Sequence, residues 1–103
     1  MEFSEVARGI VNTGKKYGNK HNIRIDQDFA LTKLYEEIGE LAQAWLIHTK
    51  KCRPEKYVSN EKSKQLISEE LADVVGVSIM IADLLGIDLE KAINEKWLSK
   101  LKR

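Results

Sequence analysis

The chain has 103 residues, 43% of them hydrophobic and 32% charged, and its 17 basic and 16 acidic residues leave a formal net charge of +1. That length makes one domain, residues 1–103, of a size that buries only about two thirds of its unfolded surface, and the balanced charge excludes the global field that draws nucleic acid or an acidic membrane. One cysteine cannot close an internal disulfide, no run of about 18 apolar residues occurs, and the first residues lack the pattern of a secretory leader, so a soluble cytoplasmic protein is expected.

Periodicity predicts four helices and no strand, an all-α fold. Phe3, Val6, Ile10 and Tyr17 keep helical spacing up to Gly18, the expected stop of the first helix. After polar turn formers, Asp26 or Asp28 can cap a long second helix reaching about Lys50. The stretch from Thr49 to Asn60, with Cys52 and the only proline, Pro54, reads as a connection. Ser59 or Asn60 can cap the third helix, which runs to Leu85 with Gly86 as its stop, and Asp88 caps a short fourth in which Leu89, Ile93, Trp97 and Leu101 recur every four residues. From Val74 to Ile87 nearly every position is apolar except Ser78 and Asp83. A helix apolar nearly all round needs cover on more than one side, and a homodimer with the third helices near its axis, or a homotetramer, supplies it; enclosure within a monomeric bundle is the alternative.

Two acidic clusters stand out, Glu36-Glu37-x-x-Glu40 on the second helix and Glu69-Glu70-x-x-Asp73 on the third. At about 100° per residue, Leu66, Val77 and Leu84 mark the centre of an apolar stripe on the third helix, and Glu70 and Asp73 fall inside it. On the second helix Leu34, Ile38, Leu41 and Trp45 make the stripe, with Glu37 on its shoulder, Glu40 farther round and Glu36 toward the outer face. At least three carboxylates therefore face the packed side. An unpaired buried carboxylate costs several kcal/mol, whereas a bound cation removes both the desolvation and the mutual repulsion. Neither His21, His48 nor Cys52 keeps motif-like spacing with the acids, so oxygen-only ligation points to Mg²⁺ or Mn²⁺ rather than Zn²⁺. Exposed glutamates at helical spacing are also ordinary solvated faces, and that reading applies most to Glu36, Glu69 and Glu90.

The stretch Lys33-Leu-Tyr-Glu-Glu-Ile-Gly-Glu-Leu-Ala-Gln-Ala, the later Glu69-Glu-Leu-Ala-Asp-Val-Val and the junction Leu85-Gly-Ile-Asp-Leu-Glu-Lys-Ala-Ile together resemble the MazG-like nucleotide pyrophosphohydrolases of the all-α NTP pyrophosphatase superfamily, over most of residues 29 to 103. The resemblance implies a four-helix protomer in an oligomeric helical bundle, hydrolysing nucleoside triphosphates between the α and β phosphates with Mg²⁺ to give a nucleoside monophosphate and pyrophosphate. It implies metal ligation by Glu37, Glu40, Glu70 and Asp73. Glu36 matches the leading acid, either a further metal contact or the residue that positions the attacking water. On the last helix Lys96 and Arg103 match basic positions that meet phosphates, while Lys100 stands where the family commonly has asparagine.

Lys96, Lys100 and Arg103 lie within about 60° of one another on a helix and can form one basic stripe. Basic residues in a last helical turn also simply complement its dipole. For the base, Trp45 and Trp97 sit at core-like positions, and Phe29, His21 and Asn22 near the start of the second helix are candidate contacts. Phosphoribosyl-ATP pyrophosphohydrolysis shares the implied fold and chemistry and is the alternative activity. A non-catalytic helical adaptor is the alternative class, and a ferritin-like oxidase is disfavoured by the lack of a Glu-x-x-His pair.

Overall fold

Asp26 opens the second helix: its carboxylate accepts the Phe29 backbone N–H at 2.9 Å, satisfying one of the donors a helix start leaves free. The computed structural model describes residues 1–99. Within them run α1 (Phe3–His21), α2 (Gln27–His48), a 3₁₀ turn at Pro54–Lys56, α3 (Asn60–Leu84) and α4 (Leu89–Ile93), which continues as a π-helical turn through Asn94–Leu98. No strand occurs among the described residues. Ser59 caps α3 by accepting from the Lys62 N–H, and Asp88 caps α4 by accepting from the Lys91 N–H, each at 3.1 Å.

One device ends all three long helices. Asn22, Lys50 and Gly86 take left-handed conformations with φ of 54°, 58° and 68°. The N–H of the following residue then reaches back to an otherwise free carbonyl, Ile23 to Gly18 at 2.9 Å, Lys51 to Leu46 at 2.8 Å and Ile87 to Ala82 at 2.8 Å. Gly18 is thus not the stop expected from the sequence; Asn22 takes the left-handed position and α1 runs on to His21. Gly18 serves a close approach instead. A Cβ there would stand 2.7 Å from Ile25 Cγ1 and 2.8 Å from the Ile23 carbonyl oxygen, so the bare Cα lets the chain double back toward α2.

α3 is the central element, packed along α2 on one side and α1 on another. The buried apolar residues are small or branched: Ala30 and Ala44 on α2, and Val77, Ile79 and Ala82 on α3. Near the α2–α3 connection, the buried Ser63 hydroxyl donates to the Asn60 carbonyl at 3.0 Å. His48 Nδ1 and the Ser63 oxygen are hydrogen-bonded at 2.7 Å, clamping the end of α2 to the start of α3.

Two expectations about core faces are corrected. The stripe assigned to α2 splits: Leu34 and Leu41 are half-buried, but Ile38 and Trp45 are exposed. They belong to a second apolar line, Leu31, Tyr35, Ile38 and Trp45, that no helix among the described residues covers. Spacing alone cannot distinguish the two lines, because both repeat every three to four residues; the alanines at 30 and 44 decide which one α3 approaches. The fourth helix is shorter than its four-residue repeat implies, and the π turn shifts its register. Trp97 is accordingly 71% exposed instead of packed into a core. Lys100, Leu101 and Arg103 lie outside the described residues.

Candidate metal centre

Glu37 and Glu40 lie one turn apart on α2, as Glu70 and Asp73 do on α3, and the packing of these two helices brings the four together. One ligand atom from each lies within 4.8 Å of the others. Each pair occupies one helix face because residues three apart are neighbours there. These are the four residues that the family resemblance implies as ligands, and the fold makes them one cluster.

The cluster is electrostatically strained as it stands. Burial foremost, then the charges of Asp73 and Glu40, pushes the Glu37 carboxyl up to about 7. Burial also raises Glu70, helped by its hydrogen bond to Glu40 and the charges of Glu40, Asp73 and Glu69. Glu37 Oε2 and Glu70 Oε2 are buried with no hydrogen-bond partner. Such orphaned oxygens are rare in folded proteins because each forfeits its hydration without return. Among the described residues the only ion pair to the four comes from Lys33, whose Nζ is 4.0 Å from Glu37 Oε1. This set fits a hard divalent cation: the donors are all carboxylate oxygens, two lack any other partner, and four anions converge on almost no countercharge. His48 is held by Ser63, away from the cluster.

Burial is distributed differently from the sequence expectation. Asp73, placed with Glu70 inside the apolar stripe by its spacing, is exposed, while Glu37, placed on the shoulder of its stripe, is 7% exposed. The exposure of Asp73 follows the course of α1. It comes close to α3 at Gly14, where a Cβ would meet Met80 Cε at 2.8 Å, but stands off around Gly76, where a Cβ would find only Ile10 Cγ2 at 4.0 Å. The gap is a cavity of about 760 Å³ walled by α1, the start of α2 and α3, and both Glu37 and Asp73 open onto it.

Glu36 lies outside the group of four, exposed and ion-paired with Lys33. Lys33 is the residue that sequence reasoning missed. Its hydrogen bond to Glu36 foremost, with the charges of Glu36 and Glu37 and a smaller contribution from Tyr17, raises its pKa against the effect of burial. Spacing of three and four to Glu36 and Glu37 was the available signal. Phe29 lines the cavity, as Tyr17 does from α1. His21 packs against Tyr17 at a tilt of 51° with ring centroids 4.6 Å apart, and Trp45 is exposed on the uncovered line of α2. Lys96 is exposed on the π turn, in a segment that does not share the close packing of α2 on α3.

A sequence model of the MazG-like family matches residues 32–103. The uncharacterized protein YvdC of Bacillus subtilis (strain 168) is 43% identical over 68 residues, covering 61% of this chain and 64% of that protein. The chain thus spans less than two thirds of that relative's length. No solved structure matches it.

Proposed function

Because the chain belongs to the MazG-like family, we propose that it is a Mg²⁺-dependent nucleoside triphosphate pyrophosphohydrolase, with Mn²⁺ as a working substitute, that releases a nucleoside monophosphate and pyrophosphate. The observation that carries this reading is the cluster of Glu37, Glu40, Glu70 and Asp73, four carboxylates within 4.8 Å with two orphaned oxygens. When bound, the cation supplies positive charge against the phosphate oxygens and the developing charge on the leaving pyrophosphate.

The chain's own residues do the rest. Glu37 and Asp73 face the cavity and orient the phosphates at its edge, while Glu40 and Glu70 close the far side of the cage. Lys33, held on the rim by Glu36 and Glu37, offers a cation to a phosphate oxygen. Water attacks the α-phosphorus, the α–β anhydride bond breaks, and its electron pair leaves on the bridging oxygen of pyrophosphate. Glu36, freed from its ion pair with Lys33, accepts the proton of that water. Lys96, with Lys100 and Arg103, binds phosphate oxygens in this scheme.

The proposal includes a second copy of the chain. A compact monomer of 11.8 kDa has an accessible surface of about 5,900 Å², but this one exposes 8,084 Å², and its radius of gyration is 16.3 Å against about 13 Å for its length. The excess, about 2,000 Å² per copy and so about 4,000 Å² for two, is of the order a permanent homodimer interface removes. No described helix is long and apolar enough to cross a membrane, and the cytoplasm is the compartment we propose.

The deciding experiment incubates purified protein with canonical nucleotides, modified nucleotides and phosphoribosyl-ATP, with Mg²⁺ or Mn²⁺, reading pyrophosphate separately from orthophosphate. Metal-dependent pyrophosphate release is expected. Orthophosphate with a nucleoside diphosphate would refute the reading, and turnover of phosphoribosyl-ATP alone would assign the alternative.

A further inference from the structure

α1 lies outside the stretch matched by the family, which begins at residue 32, yet it forms a whole wall of the cavity onto which Glu37 and Asp73 open. Val6, Gly9, Ile10, Thr13 and Tyr17 lie within an arc of about 100° on α1, and all five line that space. Facing them are Phe29 and Ala30 from the start of α2 and Val77 and Met80 from α3.

Apart from Lys33, Glu37 and Asp73, the polar side chains of the wall are Glu5, Thr13 and the Tyr17 hydroxyl, all on α1. The Thr13 hydroxyl donates to the Gly9 carbonyl at 2.8 Å, and Lys33, beside Glu36 and Glu37, serves the phosphates rather than the base. No asparagine, glutamine or arginine lines the cavity. An occupant is therefore met mainly by flat apolar surface, with Glu5 and the Tyr17 hydroxyl as the polar groups of α1 left to touch its edge, and its charged end must lie toward Glu37 and Asp73. A nucleotide has that polarity, with an aromatic base at one end and phosphates at the other. Phe29 and Tyr17 offer the aromatic faces that bases stack on, worth about 1–3 kcal/mol per base.

Resting on the pyrophosphohydrolase reading, we propose that α1 is the base-selecting element of this protein and that Gly9 sets the room available to the base. Gly9 holds open space: a Cβ there meets no atom within 4 Å. Its neighbour Gly14 differs, since a Cβ there would press on Met80, so its bareness serves helix packing and Gly9's does not. A side chain at Gly9 fills the cavity from the α1 side without touching the acids. It also removes a helix-interior glycine, so the fold is not weakened by the change.

The test compares wild type, Gly9→Leu and Tyr17→Leu by calorimetric titration with a nucleoside triphosphate and with inorganic tripolyphosphate, which has the phosphates but no base, in Mg²⁺; thermal melts verify folding. Both variants are expected to weaken nucleotide binding by roughly 10-fold or more, the scale on which apolar pockets discriminate, while tripolyphosphate affinity stays within about twofold. Unchanged nucleotide affinity in both variants, or equal loss for the two ligands, would overturn the proposal. So would a change in sedimentation in place of affinity, which would mean a second copy fills the cavity. Pyrophosphate release by wild type is read in parallel. Base-dependent binding without hydrolysis would keep α1 as the base wall and refute the hydrolase, whereas hydrolysis indifferent to both substitutions would do the reverse.

Discussion

Glu37 on α2 and Asp73 on α3 face each other across the helix packing, and after burial the charge of Asp73 is the largest cause of the rise in Glu37 to about 7. The native state thus binds a proton that the unfolded chain, with an ordinary carboxyl near 4.5, releases. Between those values the folded form holds more protons than the unfolded one, so stability falls as pH rises through the window. The metal-free protein should lose on the order of 1–3 kcal/mol between pH 5 and pH 8 from this group. Glu70, raised for the same principal reason, adds to the trend. Melting temperatures measured in chelator across this range should decline, and saturating Mg²⁺ should flatten the decline because the cation binds the deprotonated cage. A melting temperature in chelator that rises from pH 5 to 8 would contradict the strained-cage account.

Replacing Glu37 with Gln removes the buried charge and keeps the shape. At pH 8 the metal-free variant should be more stable than wild type by about 1–2 kcal/mol, because the desolvated anion and its repulsion by Asp73 are gone. Its melting temperature should also stop responding to Mg²⁺, since the stabilisation a ligand gives by mass action disappears with its binding. Asp73→Asn should show the same loss of metal response with a smaller gain in apo stability, because Asp73 is exposed. Thermal melts of the three proteins across a Mg²⁺ titration test this, and an equal metal response in all three would remove both residues from the ligand set.

The sequence carried the helices because their ends are written locally. Asp26, Ser59 and Asp88 are short polar acceptors placed just before apolar repeats, and Gly86 is a residue that tolerates left-handed backbone. Asn22 and Lys50 do the same task without announcing it, so Gly18 drew the stop that belongs four residues later. The acidic cluster was legible for a similar reason, since a spacing of three sets each acidic pair on one face of its helix, and the packing of α2 on α3 turns those faces together. What could not be read was which acid lies deepest. That depends on where α1 leans on α3, near Gly14 rather than Gly76, a tertiary fact with no local signature. The partner line of α2 was hidden differently: Ile38 and Trp45 look like core by period, and they are apolar for a surface the single chain leaves uncovered.

Lys50 offers a test of the helix stops that leaves the site untouched. A lysine at φ 58° sits where its Cβ crowds the backbone, a cost of about 1–2 kcal/mol that glycine avoids. Lys50→Gly should therefore stabilise the protein, by about 0.5–1 kcal/mol once the greater freedom of glycine in the unfolded chain is subtracted. Gly86→Ala, at φ 68°, should destabilise by a similar amount. Denaturant midpoints with unchanged slope measure both, and the two substitutions moving stability in the same direction would contradict the reading.

Leu31, Tyr35, Ile38 and Trp45 form one line on α2, with exposures of 51%, 71%, 46% and 55%. Leu71 and Val75 add exposed apolar surface on the neighbouring α3. An unsatisfied line of this kind, on a chain whose surface exceeds that of a compact monomer by about 2,000 Å², is expected to close against its own copy, helix line against helix line, because a two-fold axis sets the same patch on both sides. Placing a glutamate at Ile38 puts a carboxylate into that seam in both copies at once. Two desolvated like charges cost several kcal/mol, enough to shift association by more than about a hundredfold. Since Ile38 is exposed in the protomer and does not belong to the acidic cluster, Ile38→Glu should leave the helical signal of the single chain in place. Sedimentation at micromolar concentration should show wild type as a dimer or tetramer and the variant as a monomer. If wild type itself sediments as a monomer there, the self-association proposal fails; if both stay associated, the interface lies on another face, with the line around Trp97 the next to test.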